Sequence, residues 1–187
     1  TGRVVDIFRS TDGGTTWEPR LNPGAPFSQL LLTNIPFATG CFGSSNFSQG
    51  WYDNIIKIDP IDPDVVWVGG IDLLRSDDGG QNFGLASYWY FDVTDPNYSH
   101  ADQHEIVFHP QYNGTTNQTM FVGSDGGVSR TDNARAATTT ADCPADGDPV
   151  GSVTFTSLNN GYGVTQFYHG AISRNSDMFL GGTQDNG

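Results

Sequence analysis

The chain has 187 residues, enough for a domain with its own core. Acidic residues outnumber basic ones 21 to 8, a formal charge of −13 with Lys57 the single lysine, which argues against nucleic acid or an anionic membrane surface as partner. No apolar run approaches the roughly 18 residues of a membrane span, and two cysteines are too few for a disulfide scaffold or a zinc ribbon.

From the N-terminus, the first pattern is Ser10-Thr-Asp12-Gly-Gly14-Thr-Thr-Trp17. It returns as Ser76-Asp-Asp78-Gly-Gly80-Gln-Asn-Phe83. Both fit Ser-x-Asp-x-Gly-x-x-aromatic, and a degenerate third version stands at Thr131-Asp-Asn133. A hairpin turn needs residues that tolerate positive φ, and an Asp side chain can accept hydrogen bonds from the turn N–H groups. The aromatic that follows is expected to bury against its own sheet. These aspartates are therefore expected to be structural and not catalytic.

Three longer segments also align: 51–83, 100–133 and 165–187. Each has an apolar run, a turn, and a second apolar run ending in small residues (Trp67-Val-Gly-Gly, Phe121-Val-Gly-Ser, Phe179-Leu-Gly-Gly), followed by an Asp- or Gly-rich turn. The glycines at 69, 123 and 181 are 54 and 58 residues apart. Short β-branched and aromatic runs between turn residues read as strands, and no helical period is sustained. Four short strands per ~50 residues predict an all-β chain, a β-propeller of four-stranded antiparallel blades. The competing architecture is an ordinary β-sandwich. Blade segments are expected at about 1–45, 46–95, 96–150 and 151–187. Cys41 and Cys143 lie in long insertions between strands, where either a bridge between them or two separate thiols is compatible with the sequence.

The Ser-x-Asp-x-Gly-x-x-aromatic motifs resemble the Asp-box (BNR) repeat of sialidases, family 74 glycoside hydrolases and sortilin-type receptors. His100-Ala-Asp-Gln-His104, Gly123-Ser-Asp-Gly-Gly-Val128 and Gly181-Gly-Thr-Gln-Asp-Asn-Gly187 resemble secreted bacterial Asp-box proteins of unassigned activity. The resemblance implies an extracellular or cell-surface propeller, with the boxes on hairpins away from the functional face. A complete propeller of this kind holds about six or more blades, so the chain reads as a segment of a longer protein that supplies the remaining blades.

Blade geometry then predicts which residues meet. Aligning the Pro60 and Pro110 turns without a gap places Tyr52 with Asp102 and Asn54 with His104, and the third segment adds Gln166 and Tyr168. Turns after the second strands place Asp72, Asp125 and Asp185 in corresponding positions. Strand alternation sets His100, Asp102 and His104 on one side. Such a set either coordinates a divalent metal or caps the inner strand by hydrogen bonds alone.

Three functions compete. One is a binding or scaffold module for a polysaccharide or a surface protein, and another is a component that only presents loops in a surface assembly. The third is a glycoside hydrolase using two of Asp102, Asp125 and Asp185, whose carboxyls would stand about 5–10 Å apart across a cleft. A sialidase would need an arginine cluster, whereas Arg9, Arg75 and Arg130 sit at equivalent positions and read as architectural.

Overall fold

The computed structural model describes residues 2–43, 47–141, 151–161, 167–174 and 177–183. Its strands are β1 (Phe8–Arg9), β2 (Glu18–Pro19), β3 (Ile55–Ile58), β4 (Val66–Gly69), β5 (Leu73–Ser76), β6 (Gly84–Leu85), β7 (Gln103–Phe108), β8 (Met120–Ser124), β9 (Gly127–Thr131), β10 (Thr156–Ser157), β11 (Phe167–Ile172) and β12 (Phe179–Thr183). One four-residue helix, α1 (Ile35–Ala38), is capped by the Asn34 side chain, which accepts from the Phe37 N–H. The chain is thus all-β in class. Among the described residues no helix is long and apolar enough to cross a membrane.

Strands β3-β4-β5-β6 form one antiparallel sheet and β7-β8-β9-β10 another, each in sequential order. The hairpins β1–β2 and β11–β12 are two-stranded, and no described sheet closes on itself. The second sheet ends at Ser157, seven residues past the boundary expected at 150, because the fourth strand follows a long connection from β9.

Sheet β3–β6 is the centre of the packing, and its period-2 pattern explains why. Val66 and Val68 face one core with Leu31, Leu32, Ile35 and Tyr88, while Val65 and Trp67 face a second core with Ile106, Met120 and Val122. A strand buried on both sides needs a continuous apolar run, and every residue of β4 is buried. Arg75 also enters this interior. Its guanidinium lies over the Trp67 ring and donates to the carbonyls of Ala134 and Ala136 at 2.6 and 2.7 Å. It is architectural, as are Arg9, paired with Asp64, and Arg130, paired with Asp132.

The small residues after β4 have a packing reason. A Cβ on Gly70 would stand 2.8 Å from the Leu31 carbonyl oxygen, and one on Gly69 would stand 2.7 Å from the Ile55 side chain and 2.8 Å from Gln103 Cβ. The backbone of 69–70 therefore lies directly against the 31–32 segment and the start of β7.

Candidate functional site

The two Ser-x-Asp turns mark one end of the sheets. In the first, Asp12 accepts from Ser10 Oγ (2.8 Å), Thr16 N (2.9 Å) and Thr16 Oγ1 (2.7 Å), and Ser10 Oγ accepts from Gly14 N. In the second, Asp78 accepts from Ser76 Oγ (2.7 Å), the Gln81 and Asn82 N–H groups (3.0 Å each) and Asn82 Nδ2 (2.6 Å), and Ser76 Oγ accepts from Gly80 N. Gly13 and Gly14 adopt φ of 72° and 89°, and Gly79 and Gly80 adopt 74° and 89°, so the glycines serve one backbone shape. The Thr16 N–H and hydroxyl, with Ser10, draw the Asp12 carboxyl down to about 2. Partial burial opposes the same effect at Asp78, but the Asn82 and Ser76 bonds still hold it below the usual carboxylate range. Every side-chain hydrogen bond that either carboxylate accepts comes from its own turn. The degenerate version is built alike, with Thr131 Oγ1 donating to Asn133 Oδ1 at 3.0 Å.

The aromatics do not behave alike. Phe83 is buried as expected, but Trp17 is 60% exposed. Its indole N–H donates to the Gly14 carbonyl at 3.0 Å, which holds the ring over its own turn and away from a sheet face.

At the opposite ends of the strands lies a cluster of acids. Asp125 is exposed and accepts from Tyr52 Oη at 2.9 Å and from His104 Nε2 at 2.7 Å. The Tyr52 and His104 rings meet edge to face at 4.9 Å, and Trp51, 77% exposed, stands against Tyr52 at 5.7 Å. Beneath them, Asp102 Oδ1 accepts from Gln49 Nε2 at 2.8 Å, and the Asp102 carbonyl accepts from the Asp125 N–H at 3.1 Å. Asp102 holds φ at +64°.

Two further carboxyls complete the cluster from below. Asp53 has no exposed surface, and among the described residues no N–H or O–H donor makes a full hydrogen bond to either of its oxygens. Its carboxyl stands against that of Asp102, and each acts on the other's charge. Burial, with the charge of Asp102, pushes Asp53 up to about 7. Burial likewise raises Asp72 to about 7, against one bond from the Trp89 N–H at 3.2 Å. Asp102 is raised by its own burial and by the Asp125 charge, against bonds from Asp53 and Gln49.

The sequence expectations divide accordingly. Tyr52, His104, Asp102 and Asp125 do come together. Asn54 does not join them and instead lines a neighbouring groove of about 370 Å³ with Gly2, Val4 and Leu32. Gln166, Asp185 and Cys143 lie outside the described residues, as does the Tyr168 side chain on β11. Cys41 is disulfide-bonded.

The shared orientation expected of His100, Asp102 and His104 fails for a local reason. The β7–β8 register steps from Gln103↔Ser124 to Glu105↔Gly123, so His104 is bulged out of the ladder and alternation is lost. His100 turns to the Ala101 carbonyl and packs over Gly126, where a Cβ would meet its ring at 2.2 Å. Among the described residues no three His, Cys, Asp or Glu side chains are grouped to hold a metal ion, so the expected ligand set is not assembled.

The bulge also explains why Asp53 escaped the gapless alignment. Ile56 opposite Val68 corresponds to Ile106 opposite Val122. The extra residue at 104 then shifts the match, and the counterpart of Asp102 is Asp53 and not Tyr52. A one-residue gap in the repeat would have found it. Trp51 and Gln49 carry no periodic signal.

Comparison of the chain with family models, with curated proteins and with solved structures finds no match.

Proposed function

We propose that this chain is part of a secreted or cell-surface Asp-box β-propeller whose Asp125 end binds glycans. The observation that carries the reading is Trp51, an indole left 77% exposed beside a hydrogen-bonded group of Tyr52, His104 and Asp125. An open aromatic face stacks on the C–H face of a sugar ring, and a neighbouring carboxylate accepts from its hydroxyls. Among the described residues no Arg or Lys hydrogen-bonds to Asp125 or His104, which favours neutral over anionic sugars. The propeller part of the reading is supported by two sequential four-stranded sheets packed through one core and by the matching Ser-x-Asp turns. It is supported as well by Val107 and Val128 left exposed on the outer face of the second sheet, where a further blade would pack. The Cys41 disulfide fits an oxidising compartment, with Cys143 proposed as its partner.

The test is a panel of neutral hexasaccharides (gluco-, manno-, xylo- and chito-) assayed by calorimetry. Trp51→Ala is expected to lower affinity by about 1–3 kcal/mol at unchanged melting temperature, with Asp125→Asn weakening it as well. Binding that survives both substitutions overturns the reading.

A hydrolase is the second reading. It is favoured by Asp102, a partly buried carboxyl raised above the usual range, standing near the exposed Asp125. In that case Asp102→Asn abolishes hydrolysis of the bound sugar and leaves the fold intact.

A further inference from the structure

The groups of the proposed glycan surface come from two loops far apart in sequence. Trp51 and Tyr52 belong to the segment 49–53, while Asp102 and His104 belong to the entry of β7, with Asp125 tied to the Asp102 carbonyl. Gln49 anchors the first segment, its carbonyl accepting from the Tyr52 and Asp53 N–H groups at 2.6 and 3.0 Å. Three links then join the loops: the Tyr52–Asp125 bonds, the Gln49–Asp102 bond and the facing carboxyls of Asp53 and Asp102.

We propose that Asp53 is a positioning residue, its buried carboxyl sharing one proton with Asp102 so that the pair bolts the Trp51–Tyr52 loop to the His104–Asp125 loop and makes ligand binding depend on pH. The inference rests on the glycan-binding reading for its ligand and on the geometry below for its mechanism. Two carboxylates in contact cannot both ionise without a compensating charge. Among the described residues, the groups acting most strongly on the Asp53 carboxyl are Asp102, Gln49 and its own backbone, and those acting on Asp102 are Asp53, Gln49, Asp125, His100 and, through its charge, Asp72. None is a lysine or an arginine, so a proton is the counterion that the site provides for. Asp102 needs such a restraint. A non-glycine residue at φ +64° is held there only by its surroundings, and its carbonyl sets the position of Asp125. Loss of the shared proton sets a buried and a partly buried anion against each other, and the least costly relief is separation of the two loops.

The experiment uses the whole chain and three readouts. Asp carboxyl ¹³C shifts, followed from pH 4 to 9, should show Asp53 titrating well above the ordinary carboxylate range. Affinity for the tightest-binding hexasaccharide of the neutral panel should fall about fivefold or more from pH 5 to pH 8. Asp53→Asn supplies an amide that donates to Asp102 at every pH, and should abolish that fall and lessen the accompanying loss of melting temperature. A wild-type affinity that is level from pH 5 to 8, an Asp53→Asn protein with the wild-type pH slope, or an Asp53 carboxyl that titrates below pH 5 each overturns the proposal. Should no hexasaccharide bind, the glycan reading fails by itself, while the ¹³C titration and the ligand-free melting curves still decide the bolt. The ¹³C readout needs no variant, so a poorly folding substitution leaves it intact.

Discussion

Asp12 and Asp78 make nearly the same hydrogen bonds in turns of the same backbone shape, yet their removal should not have the same effect. Asp78 lies in a turn whose aromatic, Phe83, is buried in the core, and the Asp78 and Gly79 carbonyls accept from Arg20 of the preceding segment. Asp12 lies in an open turn capped by an exposed Trp17. Asp78→Ala leaves the Gln81 and Asn82 N–H groups without their acceptor and should destabilise the chain by about 1–3 kcal/mol. Asp12→Ala should cost less, because water replaces the lost acceptor. Chemical denaturation of both variants checks the order, and equal losses would mean that the turns are equivalent in context as well as in shape. The buried Asp59 shows the other way to settle a carboxylate. Despite its burial it is held low by Arg135 Nε at 2.8 Å and by Tyr112 Oη at 2.5 Å.

At the scale of the strand, the Val-Gly pair that closes the second apolar run in the first two segments hides two environments. Gly70 and Gly69 lie against backbone and core side chains, whereas a Cβ on Gly123 meets nothing nearer than Glu105 Cβ at 3.9 Å. Gly70→Ala must push the Leu31 carbonyl aside and should destabilise by about 1–3 kcal/mol. Gly123→Ala should lie within about 1 kcal/mol of wild type, since neither strain nor overlap opposes it. Thermal unfolding of the two variants tests the contrast. A severe Gly123→Ala would reveal a neighbour on the outer face of the β7–β10 sheet. The bulge at His104 works at the same scale. One extra residue moves His104 out of the ladder, where it reaches Asp125, and brings Asp102 opposite Asp53.

Over the whole molecule, opposed carboxyl shifts set the pH dependence of stability. Asp53 and Asp72 are raised from 3.8 to about 7, so between these values the folded chain binds more protons than the unfolded chain. Stability must therefore fall as pH rises through that window. Asp12, Asp59, Asp78 and Asp92 are lowered, so their contribution is lost as pH falls below the ordinary carboxylate range. The two trends predict a stability maximum at about pH 4–5. Melting temperatures from pH 3 to 9 test this, and a maximum at or above pH 7 would contradict the raised carboxyls. The formal charge of −13 adds self-repulsion in the same direction at high pH.

The sequence by itself determined what is settled within a few residues. The Ser-x-Asp turns close through bonds spanning two to four positions, and period-2 apolar runs make strands wherever they are flanked by such turns. The all-β class, the sequential sheets and the structural role of Asp12 and Asp78 were legible for that reason. Tyr52, His104, Asp102 and Asp125 could be grouped because the repeat shows which strand ends share one end of the sheets, even where a gapless register is off by one residue. Tertiary structure alone decided the rest. Asp53 and Gln49 meet Asp102 across about fifty residues of chain, through a register that a single bulged residue resets. The exposure of Trp51 and Trp17, the burial of Asp53 and Asp72 and the scatter of the three expected metal ligands depend on which surfaces the packed sheets cover. Burial belongs to the packing and not to the local sequence, and it pushes Asp53 and Asp72 up where the buried Asp59 is held low by Arg135 and Tyr112.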